Sequence, residues 1–190
     1  YDTLGELTTV SDNTAVGYAA LQASTSGTAL AAFGKGALRA NTTGNGNTAV
    51  GQNALLANTT GIDNVALGAN ALDSNTTAND NVAVGRYALQ AVTTSADNVA
   101  VGSSALYNNT GASNTAVGRS AGLANTTGGN NLYLGHDTGR TGSPGGNNTT
   151  GNNAIFLGDE NIGDAHIQVD WTVASDQRDK TDFTALDLGL

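Results

Sequence analysis

Few places in this chain combine residue types that could do covalent or ionic chemistry. Toward its end, Ser175-Asp176-Gln177-Arg178-Asp179-Lys180 sets a serine five residues before a lysine. Serine alone is a poor nucleophile, but a desolvated lysine whose pKa is lowered can take its proton. The same hexapeptide also reads as a polar surface turn.

His136, Asp137, Asp159, Glu160, Asp164 and His166 supply the residue types of a metal or glycosidase site. Their spacing matches no helix-borne or paired ligand motif, and a carboxylate pair means little without geometry. Asp12, Asp63, Asp80 and Asp97 recur at one place in a repeat, where stacked carboxylates would either recruit cations or splay into solvent. The calcium-binding nonapeptide is absent, which favours solvated turns. No metal and no cofactor is expected. With no Cys, disulfides and thiolate ligands are excluded. A net charge of -9 with 7 Lys and Arg argues against a nucleic-acid backbone as partner.

The elements that position these residues follow from composition and period. The 190 residues include 26 Gly and 1 Pro, lack Met, and are only 12% charged, which suits a repetitive fold better than an ordinary globular enzyme. A chain opening on Tyr1 with no Met reads as an excised portion of something longer. No apolar run approaches the ~20 residues that span a bilayer, and no basic-then-apolar segment reads as a signal peptide.

A glycine recurs at Gly17, Gly34, Gly51, Gly68, Gly85, Gly102, Gly118 and Gly135, with a degenerate copy at Gly158. The step is 17 residues, apart from 16 before Gly118 and 23 before Gly158. Immediately before it stand Val16, Phe33, Val50, Leu67, Val84, Val101, Val117, Leu134 and Leu157, a column expected to face a core. Two before it the residue is alanine up to Ala116, then Tyr133 and Phe156, expected on the opposite face of a strand. Ala-Leu pairs such as Ala37-Leu38 and Ala54-Leu55 follow the glycine and predict a second inward strand in each coil, with a helical fragment as the competing reading.

Asn13, Asn47, Asn64, Asn81, Asn98, Asn114 and Asn131 predict an internal hydrogen-bonded ladder that satisfies turn backbone. The Asn-Thr-Thr triplets at Asn41, Asn58, Asn75 and Asn125 match a glycosylation pattern and also read as repeated turn chemistry. The residues just after the glycine vary. Tyr18, Lys35, Arg86 and Arg119, with Tyr87 beside Arg86, are the candidate binding residues on an exposed face. A unit this small cannot bury its own apolar face, so it must stack on copies of itself. The expected fold is all-β, a parallel β-solenoid of ~17-residue repeats over residues 1–135. A Gly-rich transition follows over 136–174.

The pentapeptides Asn13–Gly17, Asn47–Gly51 and Asn114–Gly118, with the variants Asn81–Gly85 and Asn98–Gly102, resemble the head repeats of trimeric autotransporter adhesins. That resemblance implies a β-roll assembled as a homotrimer of identical chains. From Trp171 to Phe183 the chain resembles the start of the intramolecular chaperone that ends phage tailspikes, endosialidases and tail fibres, with Ser175, Asp176, Arg178 and Lys180 at the matching positions. It implies self-cleavage before Ser175 by a Ser/Lys pair, for which residues 175–190 are only the beginning of the domain, and no other enzymatic activity is expected of the shaft. Together the two imply a virion tail fibre or tailspike component that attaches to a glycan or protein receptor on the host surface, beside other tail proteins. The alternative is the head of a trimeric adhesin on a bacterial surface.

Overall fold

The computed structural model describes residues 12–143, 146–159 and 161. Nine strands of three residues each, β1 (Thr14–Val16), β2 (Ala31–Phe33), β3 (Thr48–Val50), β4 (Val65–Leu67), β5 (Val82–Val84), β6 (Val99–Val101), β7 (Thr115–Val117), β8 (Leu132–Leu134) and β9 (Ile155–Leu157), form one parallel sheet in sequence order. Every pairing sets a residue against the same place in the next coil, as in Ala49↔Ala66 and Ala66↔Ala83. The chain is therefore an all-β parallel solenoid with one coil per ~17-residue repeat, and no described residue is helical.

The orientation of the sheet reverses the expectation. Ala32, Ala49, Ala66, Ala83, Ala100 and Ala116 are fully buried, whereas Val16, Phe33, Leu67, Val101, Val117, Leu134 and Leu157 are exposed. The physical reason is width. The strand of each coil faces its own Ala-Leu segment across a narrow interior, and only a methyl group fits on the strand side once leucine fills the other.

The Ala-Leu pairs point inward but form no strand, so each coil has a single strand rather than two. They are not helical fragments either. Leu21, Leu38, Leu55, Leu72, Leu89 and Leu106 take φ of 50 to 52°, and the residue two positions earlier is also left-handed, as at Asn53 (57°) and Asn70 (55°). A left-handed conformation costs a non-glycine residue about 1–2 kcal/mol. Burying the whole leucine side chain returns about 1.5–3 kcal/mol. The bent backbone also keeps its hydrogen bonds between coils, for example Leu55 N–H to the Ala71 carbonyl at 3.0 Å.

The repeat glycine is fixed by contact as well as by φ. At Gly85 (φ 133°) an added Cβ would lie 2.6 Å from the Gly102 carbonyl carbon, so the column is closed to any side chain.

Two asparagine columns flank the leucines. In the first, the Asn64 N–H donates to Asn47 Oδ1 at 2.9 Å and Asn64 Nδ2 donates to the Ala78 carbonyl at 2.8 Å; the N–H bond recurs at Asn81 and Asn98. In the second, Asn58 Nδ2 donates to Asn41 Oδ1 and Asn75 Nδ2 to Asn58 Oδ1, each at 2.8 Å. The expected ladder is thus present twice. The threonines beside it are used in the same way, with Thr42 Oγ1 and Thr59 Oγ1 each donating to the next coil's carbonyl at 3.0 Å.

The last two described coils are packed differently. Tyr133 and Phe156 replace alanine on the inner face and stack at 5.1 Å with an 8° interplanar angle. Glycine replaces the inward leucine at Gly122 and Gly139, and a Cβ at Gly139 would stand 2.6 Å from the Tyr133 ring. Bulk has moved from one wall of the coil to the other.

Candidate functional site

The five candidate binding residues fall at three places along the rod. Tyr18, Lys35, Arg86 and Arg119 occupy the position after the repeat glycine in their coils and are exposed, as expected; Tyr87 is half-buried. Tyr18 and Lys35 line one shallow groove of about 270 Å³ together with Arg39, Asn53 and Leu56. Arg86 lies 4.3 Å over the Tyr87 ring, and Tyr87 meets Tyr107 edge-on at 6.1 Å. Arg119 belongs to a third place, at the C-terminal end of the described rod.

There the 23-residue step between repeat glycines opens a polar cleft of about 420 Å³ lined by His136, Asp137, Arg140, Ser143, Asp159 and Asn161. Arg119 Nε lies 3.1 Å from His136 Nε2, and His136 Nδ1 lies 3.3 Å from Asp159 Oδ2 and 3.5 Å from Asp137 Oδ2. Arg140 Nη1 donates to Asp137 Oδ1 at 2.8 Å. Partial burial pushes the Asp137 carboxyl up, but the Arg140 hydrogen bond and the charges of Arg140, His136 and Arg119 outweigh it and hold the group below its usual range. The Asn161 N–H and then His136 do the same for Asp159.

Both carboxylates are thus held ionised. A glycosidase needs one raised carboxyl to act as acid, and neither aspartate is arranged for that. The cluster is a charge-balanced surface. Among the described residues no group of three or more His, Cys, Asp or Glu is placed to hold a metal ion. Asp12, Asp63, Asp80 and Asp97 are exposed at φ of 55 to 64°, the left-handed corner of the turn that precedes each strand.

Chain comparison adds no relative. The chain matches no family model, no curated protein and no solved structure. Ser175 and Lys180 lie outside the described residues, as do Glu160, Asp164 and His166. No helix among the described residues is long and apolar enough to cross a membrane.

Arg39, Tyr107 and Arg140 contribute to these surfaces and were not singled out by the sequence. They share one column, five residues after the repeat glycine, with Gln22, Leu56, Asp73, Gln90 and Leu123. The variability of that column was the signal available.

Proposed function

We propose that the chain is a shaft segment of an attachment fibre of the kind bacteriophages carry on their tails, working as a homotrimer that projects from the virion and contacts the host surface. The observation that carries this reading is the outward face of the sheet. It is a continuous apolar stripe, with Phe33, Leu67 and Leu134 at 40 to 46% exposure, that no described residue covers. A soluble rod seldom leaves such a stripe to water. Identical copies, which present the same stripe at the same coil spacing, fit it without any further element.

The resemblance of Trp171–Phe183 to a tail-fibre chaperone favours a virion over a bacterial cell surface, and Ser175 and Lys180 would perform the cleavage. Host receptors, glycan or protein, would meet variable residues that the seam between copies leaves open, Tyr18 and Tyr87 among them.

The test is the intact and native mass of the full-length gene product beside its Ser175→Ala variant. Trimers whose chains end at Ala174, with cleavage abolished in the variant, support the reading. An uncut trimer overturns the self-cleaving chaperone and leaves an uncleaved fibre or the adhesin head. A monomer overturns both.

A further inference from the structure

The two long edges of the apolar stripe carry opposite charge. On the side after the repeat glycine stand Lys35, Arg86 and Arg119, all exposed. On the side before the strands stand Asp12, Asp63, Asp80 and Asp97, also exposed, and that column holds no cation. The ion pairs found among the described residues join only His136, Asp137, Asp159 and Arg140. Among the described residues both edges therefore leave their charges unpaired, apart from the tyrosine and histidine contacts of Arg86 and Arg119 described above.

Magnitudes decide whether these edges belong to the interface. Nine strands spaced about 4.8 Å apart make a stripe about 38 Å long. Its two outward columns give a width of about 10 Å, or roughly 400 Å² per chain. A stable interface takes about 800 Å² per partner. The apolar stripe alone falls short, so association must recruit surface beyond it, and the charged columns at its two edges are the adjoining surface.

Resting on the homotrimer reading, we infer that the copies associate in parallel around an axis along the rod, with the basic edge of each chain against the aspartate edge of the next. In a parallel ring, each copy's right edge meets its neighbour's left edge, so Arg86 faces the level of Asp80, with Asp63 and Asp97 one coil to either side. Lys35 lies one coil from Asp12, and Arg119 one coil from Asp97. An antiparallel pair would instead set arginine against arginine and aspartate against aspartate. Like charges across an interface suppress that arrangement.

The experiment reverses the edges separately and together in the full chain, reading oligomer mass by light scattering over a dilution series at low and high salt. Lys35→Glu/Arg86→Glu/Arg119→Glu makes both edges acidic, and Asp63→Lys/Asp80→Lys/Asp97→Lys makes both basic. Each is expected to weaken association at least tenfold at low salt, with most of the loss recovered at high salt. The chain carrying all six changes regains complementary edges, so its association returns to within a few-fold of the native chain's, while it fails to mix with native chains. Single reversals that leave association unchanged, or a six-fold variant no better than either parent, overturn the edge pairing while leaving the trimer intact. A native chain that stays monomeric overturns the trimer reading itself.

Discussion

Val92 interrupts the second asparagine ladder, and the structure records the damage. In coil after coil an asparagine Nδ2 donates to the Oδ1 of the coil before, as Asn58 does to Asn41 and Asn75 to Asn58. The next residue in that column is Val92, which has nothing to donate, and Asn75 Oδ1 is left buried without a partner. Val92→Asn should restore the run. Its Nδ2 would reach Asn75 Oδ1 and the carbonyl three residues on, as Asn75 Nδ2 does to Asn58 Oδ1 at 2.8 Å and to Ala78 at 3.2 Å. Its Oδ1 would receive Asn109 Nδ2, which now turns aside to Asn98 Oδ1 at 3.2 Å. Losing the buried valine costs about 1.5–2 kcal/mol. Two new hydrogen bonds at about 1 kcal/mol each, with the relief of an orphaned acceptor worth about 1 kcal/mol more, exceed that, while the Asn109 bond is only exchanged. The expected net stabilisation is about 1 kcal/mol. Val92→Ala, which removes the same methyl groups and supplies no donor, should destabilise by about 1.5–2 kcal/mol. Urea unfolding measures the total, and native-state hydrogen exchange at Asn75 and Val92 measures the local effect, which matters because stacked repeats open coil by coil. An asparagine variant no more stable than the alanine variant would refute the ladder argument.

Two further outcomes follow from the terminal coils. Gly139→Ala drives a Cβ into the Tyr133 ring at φ 76° and should destabilise by about 2–3 kcal/mol; in a Tyr133→Ala background the same change should cost only about 1 kcal/mol, a coupling that a double-mutant cycle reads directly. The pH response should be two-sided. Asp137 and Asp159 sit below their ordinary values when folded, so their contribution is complete above about pH 4 and lost as pH falls through the folded values; exchange at Asp137, Gly158 and Asn161 should rise first in acid. Burial, only partly offset by the Asn148 hydrogen bond, raises Tyr133 to about 12, so the unfolded chain loses this proton first and stability should decline from about pH 10 upward, by up to roughly 3 kcal/mol. Unchanged Tyr133 absorbance up to pH 11 beside falling stability is the expected pair of readings.

The period, the single core and the asparagine ladder were legible because each rests on recurrence, and a column repeated nine times is hard to misplace. The orientation of the strand was not legible from residue type, since both alternating faces are apolar and valine ordinarily seeks the core. The information was nonetheless in the register. Asn64 stands two residues before Ala66 and three before Leu67, so strand alternation puts the asparagine and alanine on one face. An internal asparagine column therefore requires alanine inside and leucine outside. Leucines at positive φ could not be read at all, because propensity argues against them and only the buried contacts of the finished stack offset their strain. The exposed residues after the glycine were found by their variability, while Arg39, Tyr107 and Arg140 were missed because their column mixes leucine with charge and resembles a half-buried wall.

The ladders also have a direction. Asn64, Asn81 and Asn98 each send their backbone N–H to the side-chain oxygen of the coil before, and Asn58 and Asn75 send their amides the same way. In these asparagine columns every coil thus offers its successor oriented side-chain acceptors, while threonine hydroxyls and leucine N–H groups run the other way, to the carbonyls of the next coil. A coil stacked on the C-terminal side therefore meets side-chain acceptors already oriented toward it, and where the next coil supplies no donor, as at Asn75 and Asn125, that acceptor stays unfilled.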